Sequence, residues 1–198
     1  LSNGKKVVVK VQKPGVAELI TQDLHILRKT VRRMEGRHAD FAEKYDLSGL
    51  LDEFAFFLLN ELDYLREAQN ADRFRLMFKD DPRIFIPSVY WEFTSSRILV
   101  MDMIHGIKAN EFVAGVNRAE INRRLLATAA VEATFKQIFE YGFFHADPHP
   151  GNFLIMDNQR LGLLDFGQVG SLDRRTRESF LKFAYEMIRR DTDELLDA

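Results

Sequence analysis

Residues 145–167 read HADPHPGNFLIMDNQRLGLLDFG and carry the strongest indication of the fold. Asn152 follows Asp147 by five residues, and Asp165 follows Asn152 by thirteen. Oxygen-bearing side chains are the protein ligands that Mg²⁺ prefers, and one or two of them commonly suffice beside phosphate oxygens and water. Asn152 and Asp165 are therefore candidate ligands for a metal ion.

Two short apolar runs lie between Asn152 and Asp165 and predict a β-hairpin. Residues 153–156 and 161–164 flank the polar turn at 157–160, a pattern typical of two paired strands. Such a hairpin brings the asparagine and the aspartate together at one end of the ladder.

The complete pattern, H-x-D-x-x-x-x-N followed by a hairpin and D-F-G, is that of the catalytic and metal-binding loops of kinases. Asp147 would then accept a hydroxyl proton or orient the nucleophile, and Asn152 and Asp165 would hold Mg²⁺ beside ATP. Taken singly, D-F-G is a common turn tripeptide, and His145 alone is more often a structural histidine. The shared spacing of these pieces carries the hypothesis.

A kinase-type site also needs a lysine on a strand, and Lys10 is the candidate. Three valines precede it, which favours a strand, and Pro14 with Gly15 ends that strand. Lys10 would hold the α- and β-phosphates of ATP. An ordinary edge-strand lysine is the alternative interpretation of this residue.

Residues 46–78 predict one long helix, because apolar residues recur through them at helical spacing. Asp63, Glu67 and Asn70 share one face of that helix. Glu61 lies two residues before Asp63 and cannot share the face, so the helix must distort there or Glu61 must find another partner. A solvated charged face is the alternative for this segment.

Residues 97–104 are an apolar run that predicts a strand. In a kinase-like fold this strand leads into the hinge between lobes. Adenine would then bond to backbone groups near Asp102 and Ile104, with Met101 behind the ring. A plain buried strand is the alternative, since backbone contacts leave little trace in a sequence.

The chain resembles the UbiB family of atypical, protein-kinase-like proteins at residues 8–15, 61–68, 145–152 and 164–167. The resemblance implies that Glu67 pairs with Lys10, as part of the catalytic set with Asp147. It also implies that Glu61 and Asp63 form an E-x-D motif near the nucleotide, where a protein kinase would receive a peptide. The implied activity is ATP binding with ATPase-like turnover, linked to ubiquinone or other isoprenoid-lipid metabolism.

The fold implied by the resemblance is α+β, helix-rich, two-lobed and protein-kinase-like, truncated at both ends. Residues 1–103 would supply part of the N-lobe and residues 104–198 part of the C-lobe. Two further helices are predicted over residues 16–35 and 118–141, the second of them ended by Gly142. The family's K-x-G-Q segment and nucleotide-covering loop are not in this sequence, which leaves the nucleotide affinity of this stretch alone open.

Two features argue against phosphorylation of peptides. The next helix is predicted to begin just after D-F-G with Ser171 as its cap, which leaves no long activation segment. Ala146 replaces the arginine of H-R-D, and His149 stands where protein kinases carry a lysine. Because a neutral imidazole stabilises a transferring phosphoryl group less than a fixed cation does, slow transfer or ATP hydrolysis alone is expected.

Composition narrows the partners of the protein. The net charge of −2 provides no basic field for nucleic acid, and the absence of cysteine excludes disulfides. No apolar run approaches the ~20 residues of a transmembrane helix. The basic cluster at residues 28–33 is either a solvated helix face or a contact for anionic lipid headgroups. A cytoplasmic protein, membrane-associated in its full-length form, is expected.

Two other functions remain open from the sequence. The run at residues 145–152 is also close to that of aminoglycoside and choline kinases, although residues 13–15 and 61–67 favour the UbiB resemblance. A nucleotide-binding scaffold without turnover is the second alternative. The intact polar set argues against a dead site: Lys10, Asp147, Asn152 and Asp165.

Overall fold

The computed structural model describes residues 1, 4–37, 46–113 and 121–189. Their contacts divide them into two compact units, one of residues 1–70 with 88–103, the other of residues 71–87 with 104 onward. Both units combine helices with short strands, which confirms the predicted α+β, helix-rich class. The assignment of lobes to residues 1–103 and 104–198 stays a prediction.

The first unit contains an antiparallel ribbon of β1 (Val7–Val11) and β3 (Ile98–Asp102). Lys10 lies opposite Leu99 in this ribbon, and the Gln12 N–H extends the ladder to the Arg97 carbonyl at 2.9 Å. Leu99 is completely buried. The predicted lysine strand is therefore present, and its pairing with β3 fixes the position of the Lys10 backbone.

Two helices pack on each other in the same unit, α1 (Val16–Arg37) and α2 (Leu47–Asn60). Asp46 caps α2, and its carboxylate accepts a hydrogen bond from the Gly49 N–H at 2.8 Å. The backbone N–H and the hydroxyl of Ser48 both donate to the Glu35 carboxylate, at 3.1 and 2.8 Å. These bonds tie the start of α2 to the end of α1.

The single long helix predicted over residues 46–78 is in fact two helices. Helix α2 ends at Asn60, and α3 (Tyr64–Met77) begins four residues later. The Asp63 carboxylate accepts from the N–H groups of Leu65 and Arg66, at 3.1 and 3.3 Å. An aspartate in this position satisfies the open N–H groups of a helix start and faces its positive end. The distortion expected between Glu61 and Asp63 is thus a new helix start.

A four-stranded sheet organises the second unit, in the order β2-β7-β6-β4. Its strands are β2 (Ile84–Phe85), β4 (Ile107–Lys108), β6 (Phe153–Ile155) and β7 (Leu161–Leu163). β6 and β7 pair antiparallel, with Leu154 opposite Gly162. The predicted hairpin is therefore present in the structure.

Helices α4 (Ala109–Val113) and α5 (Arg123–Phe135) follow β4 in the chain. The sequence predicted a helix from residue 118; residues 118–120 lie outside the described ones, and α5 begins after its cap Asn122. Its last turn, Lys136–Tyr141, is a π-helix, in which each hydrogen bond spans one residue more than in an α-helix. Gly142 ends it with a φ of 60°, as predicted.

A second pair of strands, β5 (Phe143–His145) and β8 (Val169–Ser171), is antiparallel. The final helix is α6 (Arg174–Arg189). The prediction that Ser171 caps this helix is wrong, because Ser171 ends β8 and pairs with Phe143. Asp173 caps α6 instead, with its carboxylate 2.7 Å from the Thr176 N–H.

Aromatic packing holds the D-F-G segment in place. Phe74 and Phe166 are completely buried, and their ring centroids are 5.6 Å apart. Phe143 lies 5.1 Å from Phe74, and the His145 ring lies 6.4 Å from Phe166. The start of the loop at residues 145–152 and the D-F-G turn therefore share one small core.

We expect Gly142→Ala to lower the free energy of unfolding by about 1–3 kcal/mol, because a left-handed backbone strains any other residue. A Cβ atom there would also lie 2.7 Å from the Leu172 carbonyl oxygen. Urea denaturation measures the change.

Gly36→Ala is the matched control, since a Cβ atom in that part of α1 meets nothing within 4 Å. It should be neutral or add about 0.5–1 kcal/mol through helix propensity. Equal losses in the two variants would contradict the role assigned to Gly142.

Candidate functional site

Lys10 and Glu67 form a bidentate ion pair in the first unit. The Lys10 Nζ lies 2.9 and 2.8 Å from the two carboxylate oxygens of Glu67. Glu67 lies in the first turn of α3 and is only 3% exposed. Because a buried carboxylate is costly without a counter-charge, this arrangement holds the lysine in one place. The pairing that the family resemblance implied is present.

An apolar layer backs this ion pair. The Tyr64 ring lies 5.1 Å from the Lys10 Nζ, in cation–π contact. Tyr64 packs in one buried cluster with Ala68, Leu99 and Met101. Sequence reasoning missed Tyr64, although its place one helical turn before Glu67 was a usable signal.

The Asp102 side chain is fully engaged near the predicted hinge. It accepts hydrogen bonds from the Tyr90 hydroxyl at 2.8 Å and the Ser88 N–H at 3.1 Å, and Lys5 lies 2.8 Å away. Burial alone would raise the pKa of Asp102, but the bonds from Lys5, Tyr90 and Ser88 hold it below its ordinary value. The Asp102 N–H donates to the Ser88 carbonyl at 3.0 Å, and an adenine contact near Asp102 stays a prediction.

The E-x-D residues lie at the break between α2 and α3. The Glu61 N–H bonds to the Phe57 carbonyl at 3.1 Å and so closes α2, while the Asp63 carboxylate caps α3. Asp63 therefore has a structural use that its motif does not reveal. A place for Glu61 and Asp63 beside a nucleotide stays a prediction.

In the second unit, Asn152 is hydrogen-bonded to Asp147. Its Nδ2 atom lies 3.1 Å from both the Asp147 carboxylate and the Asp147 carbonyl. Because the amide nitrogen is used in this way, the Asn152 Oδ1 is the atom that can ligate a cation. His149 caps the 3-10 turn at Pro150–Asn152, accepting from the Gly151 N–H at 3.0 Å.

The hairpin carries Asp165 back toward Asn152. The Leu164 N–H donates to the Asn152 carbonyl at 3.0 Å, one step beyond the β6–β7 ladder. The Asp165 carboxylate accepts from the Gly167 N–H at 2.9 Å, which shapes the D-F-G turn.

Ile104, the remaining residue predicted to lie near adenine, is half-buried. It packs close to Gly162, where a Cβ atom would lie 3.2 Å from the Ile104 Cγ2.

The His145 imidazole joins the two loops. Its Nδ1 accepts the Asp147 N–H at 3.1 Å, and its Nε2 lies 2.6 Å from the Asp165 carbonyl oxygen. Since Nδ1 is an acceptor, Nε2 carries the proton and donates it to that carbonyl. Burial lowers the pKa of His145, which favours this neutral form.

The donor set suits magnesium better than a transition metal. Across the described ranges, no group of three or more His, Cys, Asp or Glu side chains is placed to hold a metal ion. Magnesium in phosphate-transfer sites needs only one or two protein ligands, which Asn152 and Asp165 can supply. The metal roles of these two residues stay predictions.

The basic cluster of residues 28–33, interpreted from the sequence as a solvated helix face or a lipid contact, lies on α1. Arg28, its first member, bonds to Asp52 of α2 at 3.0 Å, and both side chains are exposed. Part of the basic charge is thus neutralised locally. Among the described helices, none is both long enough and apolar enough to cross a bilayer.

The chain is similar to a known family of proteins. The family model for the ABC1 atypical kinase-like domain matches residues 1–198. Two Arabidopsis thaliana relatives, the chloroplastic proteins Activity of bc1 complex kinase 3 and kinase 8, are 35% and 39% identical over 98% of this chain. This chain spans only 27% and 26% of their lengths.

The chain is also similar to a solved structure. The complex of Rv3197 with erythromycin, from Mycobacterium tuberculosis, has a TM-score of 0.77 and 29% identity to this chain. The match covers 99% of this chain and 48% of that one. The family resemblance and the kinase-like fold predicted from the sequence are confirmed.

We expect acid to remove the stabilising effect of His145. Its folded-state pKa lies below the ordinary 6.5, so its contribution is complete above pH 6.5 and is lost as the pH falls through the folded-state pKa. His145→Asn keeps an acceptor but loses the bond to Asp165. Melting temperatures of both proteins at about pH 7.5 and about pH 5.5 measure the effect.

At the higher pH, the wild-type protein should melt at a higher temperature than His145→Asn. At the lower pH, the difference between the two melting temperatures should be smaller. A difference that stays constant would contradict the neutral, bridging imidazole. His149→Asn is a control, because its imidazole is exposed and caps only a single turn.

Proposed function

This chain belongs to the ABC1 atypical kinase-like family, and we propose that it binds Mg·ATP and acts as a phosphotransferase or ATPase of the UbiB type. The observation that carries this proposal is the bonding of the catalytic loop: Asn152 is bonded to Asp147, and His145 joins Asp147 to Asp165. The Lys10–Glu67 pair of the first unit supports the same activity.

Each polar residue has a role in this proposal. Lys10, oriented by Glu67, would bind the α- and β-phosphates of ATP. The Asn152 Oδ1 and the Asp165 carboxylate would hold Mg²⁺, which when bound neutralises charge between the phosphates. The Asp147 carboxylate is exposed and would orient an acceptor hydroxyl or a water and take its proton.

Turnover by this arrangement should be slow. His149 stands where protein kinases carry a lysine, and its Nδ1 accepts a hydrogen bond from Gly151. Lysine is a fixed cation at neutral pH, and imidazole in general is not. The replacement therefore leaves less positive charge beside a developing phosphoryl transition state.

We expect Asp147→Asn and Asp165→Asn to separate turnover from binding in the full-length protein. Asp147→Asn should lower the rate of Mg·ATP hydrolysis by about 100-fold or more, as loss of a general base does, while the Kd for Mg·ATP stays within about threefold. Asp165→Asn should raise that Kd by about tenfold or more, because a metal ligand is lost.

Asp157→Asn, in the turn of the hairpin, is the control and should match the wild type. Absence of hydrolysis in every protein, with nucleotide binding lost only in Asp165→Asn, would favour the scaffold alternative. Rapid phosphorylation of choline or an aminoglycoside in the same assay would favour the small-molecule kinase alternative.

An apolar groove in the second unit supports an amphipathic partner. It encloses about 380 Å³, within the size range of small-molecule sites. Pro148 and Pro150 of the catalytic loop form part of its wall, and apolar residues of α4, α5, β6 and β7 form much of the rest: Ala109, Phe112, Leu126, Ala127, Ala130, Phe153, Ile155 and Leu161. The groove could therefore take the isoprenoid tail of a quinone-like lipid whose ring reaches the loop.

Two further observations favour this partner. The solved structure of the relative Rv3197 is a complex with erythromycin, a large amphipathic molecule. The basic cluster on α1 offers charge to anionic headgroups, which supports work at a membrane surface. Involvement in ubiquinone or isoprenoid-lipid metabolism follows from the family resemblance and remains part of the proposal.

We expect Ala130→Phe to abolish stimulation of ATP hydrolysis by a geranylated phenol, because the new ring fills the groove. Thr128→Phe, on an exposed part of α5 outside the groove lining, should keep the stimulation. The measurement is the ratio of hydrolysis rates with and without the phenol. Equal stimulation in both variants would exclude the groove as the binding place.

A further inference from the structure

We propose that Gln137 is a positioning residue for the catalytic loop: it holds the His145 backbone and, through the imidazole, sets the placement of Asp147 and Asp165. The inference rests on the proposed phosphotransferase or ATPase function. The hydrogen bond of Gln137 goes to the backbone of His145. Its action passes through His145.

The first support is the hydrogen bond between Gln137 and the backbone of His145. Gln137 is 5% exposed, and its Oε1 accepts the His145 N–H at 2.9 Å. The cross-strand bonds of β5 to β8 involve Gly142 and Ala146, so by alternation the His145 N–H points away from β8. A buried N–H that faces away from its sheet needs another acceptor, and Gln137 supplies it.

The second support is the π-helix that carries Gln137. Such turns are rare in proteins and are frequent at functional sites. The Glu140 carbonyl accepts from the Arg177 guanidinium at 2.7 Å, and the Tyr141 hydroxyl donates to the Met77 carbonyl at 3.0 Å. These contacts hold the turn from two neighbouring helices, so the Gln137 amide has little freedom to move.

The third support is the pair of hydrogen bonds that the His145 imidazole makes to the two loops. One imidazole nitrogen receives the N–H of Asp147, and the other donates to the carbonyl of Asp165. A shift of the His145 backbone therefore tilts the ring and disturbs both loops at once. Misplacement of a catalytic group by about 1 Å can cost as much as 100-fold in rate.

A purely structural role for Gln137 makes different predictions. Loss of a buried acceptor would then lower stability without changing the rate per folded molecule. Three variants of the full-length protein separate the two roles. Gln137→Met keeps the length of the side chain without an acceptor, and Gln137→Glu keeps an acceptor oxygen. Phe78→Leu perturbs a buried residue just after α3, outside the residues of the π-helix and of the loop.

Gln137→Met should lower kcat for Mg·ATP hydrolysis by about tenfold or more, with the Kd for Mg·ATP within about threefold of the wild type. Gln137→Glu should recover most of the lost rate. Phe78→Leu should melt at a lower temperature and keep its kcat per folded molecule. Amide exchange at His145, followed by mass spectrometry of peptides spanning β5, should quicken in Gln137→Met alone.

The inference is overturned if Gln137→Met keeps the wild-type kcat, or loses no more than Phe78→Leu does. The proposed function would survive that result, because it depends on wild-type turnover and its loss in Asp147→Asn. If the wild type shows no turnover, the proposed function fails. The ¹⁵N shifts of the His145 imidazole then decide the inference, and shifts unchanged in Gln137→Met would overturn it.

Discussion

The neutral imidazole of His145 is the contact on which the second unit's site depends. It accepts from Asp147 with one nitrogen and donates to Asp165 with the other, so both loops are set by one ring. Burial among Phe74 and Phe166 keeps that ring neutral, because a charged imidazole would lose solvation there. The aromatic packing and the polar chemistry are therefore parts of one arrangement.

The first unit depends on a different constraint, the burial of Glu67. A carboxylate that is 3% exposed must be paired, and the β1–β3 register brings Lys10 within reach. Asp63 starts the helix that carries Glu67, so part of the E-x-D motif works as a helix cap. Membership of the ABC1 atypical kinase-like family agrees with this Lys10–Glu67 pair, which the family resemblance implied.

Local signals predicted most of the elements near the site. The hairpin of residues 153–164, the lysine strand and the end of a helix at Gly142 all follow from neighbours within a few positions. Two local predictions failed for a related reason. The single helix through Tyr64 was incomplete, and Ser171 as the cap of α6 was wrong. Ser171 and Asp173 are both good caps, and only the pairing of β8 with β5 decides between them.

The order of residues is enough to show which oxygen and nitrogen groups occur, at which spacing, and on which kind of element. Those properties depend on short-range sterics and turn geometry, which neighbouring residues encode. Tertiary packing, in contrast, sets the contacts of Asp102 with Lys5 and Tyr90 and places Gln137, on a π-helix, beside the His145 N–H. Buried polar groups take whichever partner the packing leaves beside them, and that choice is made across distances that no local pattern records.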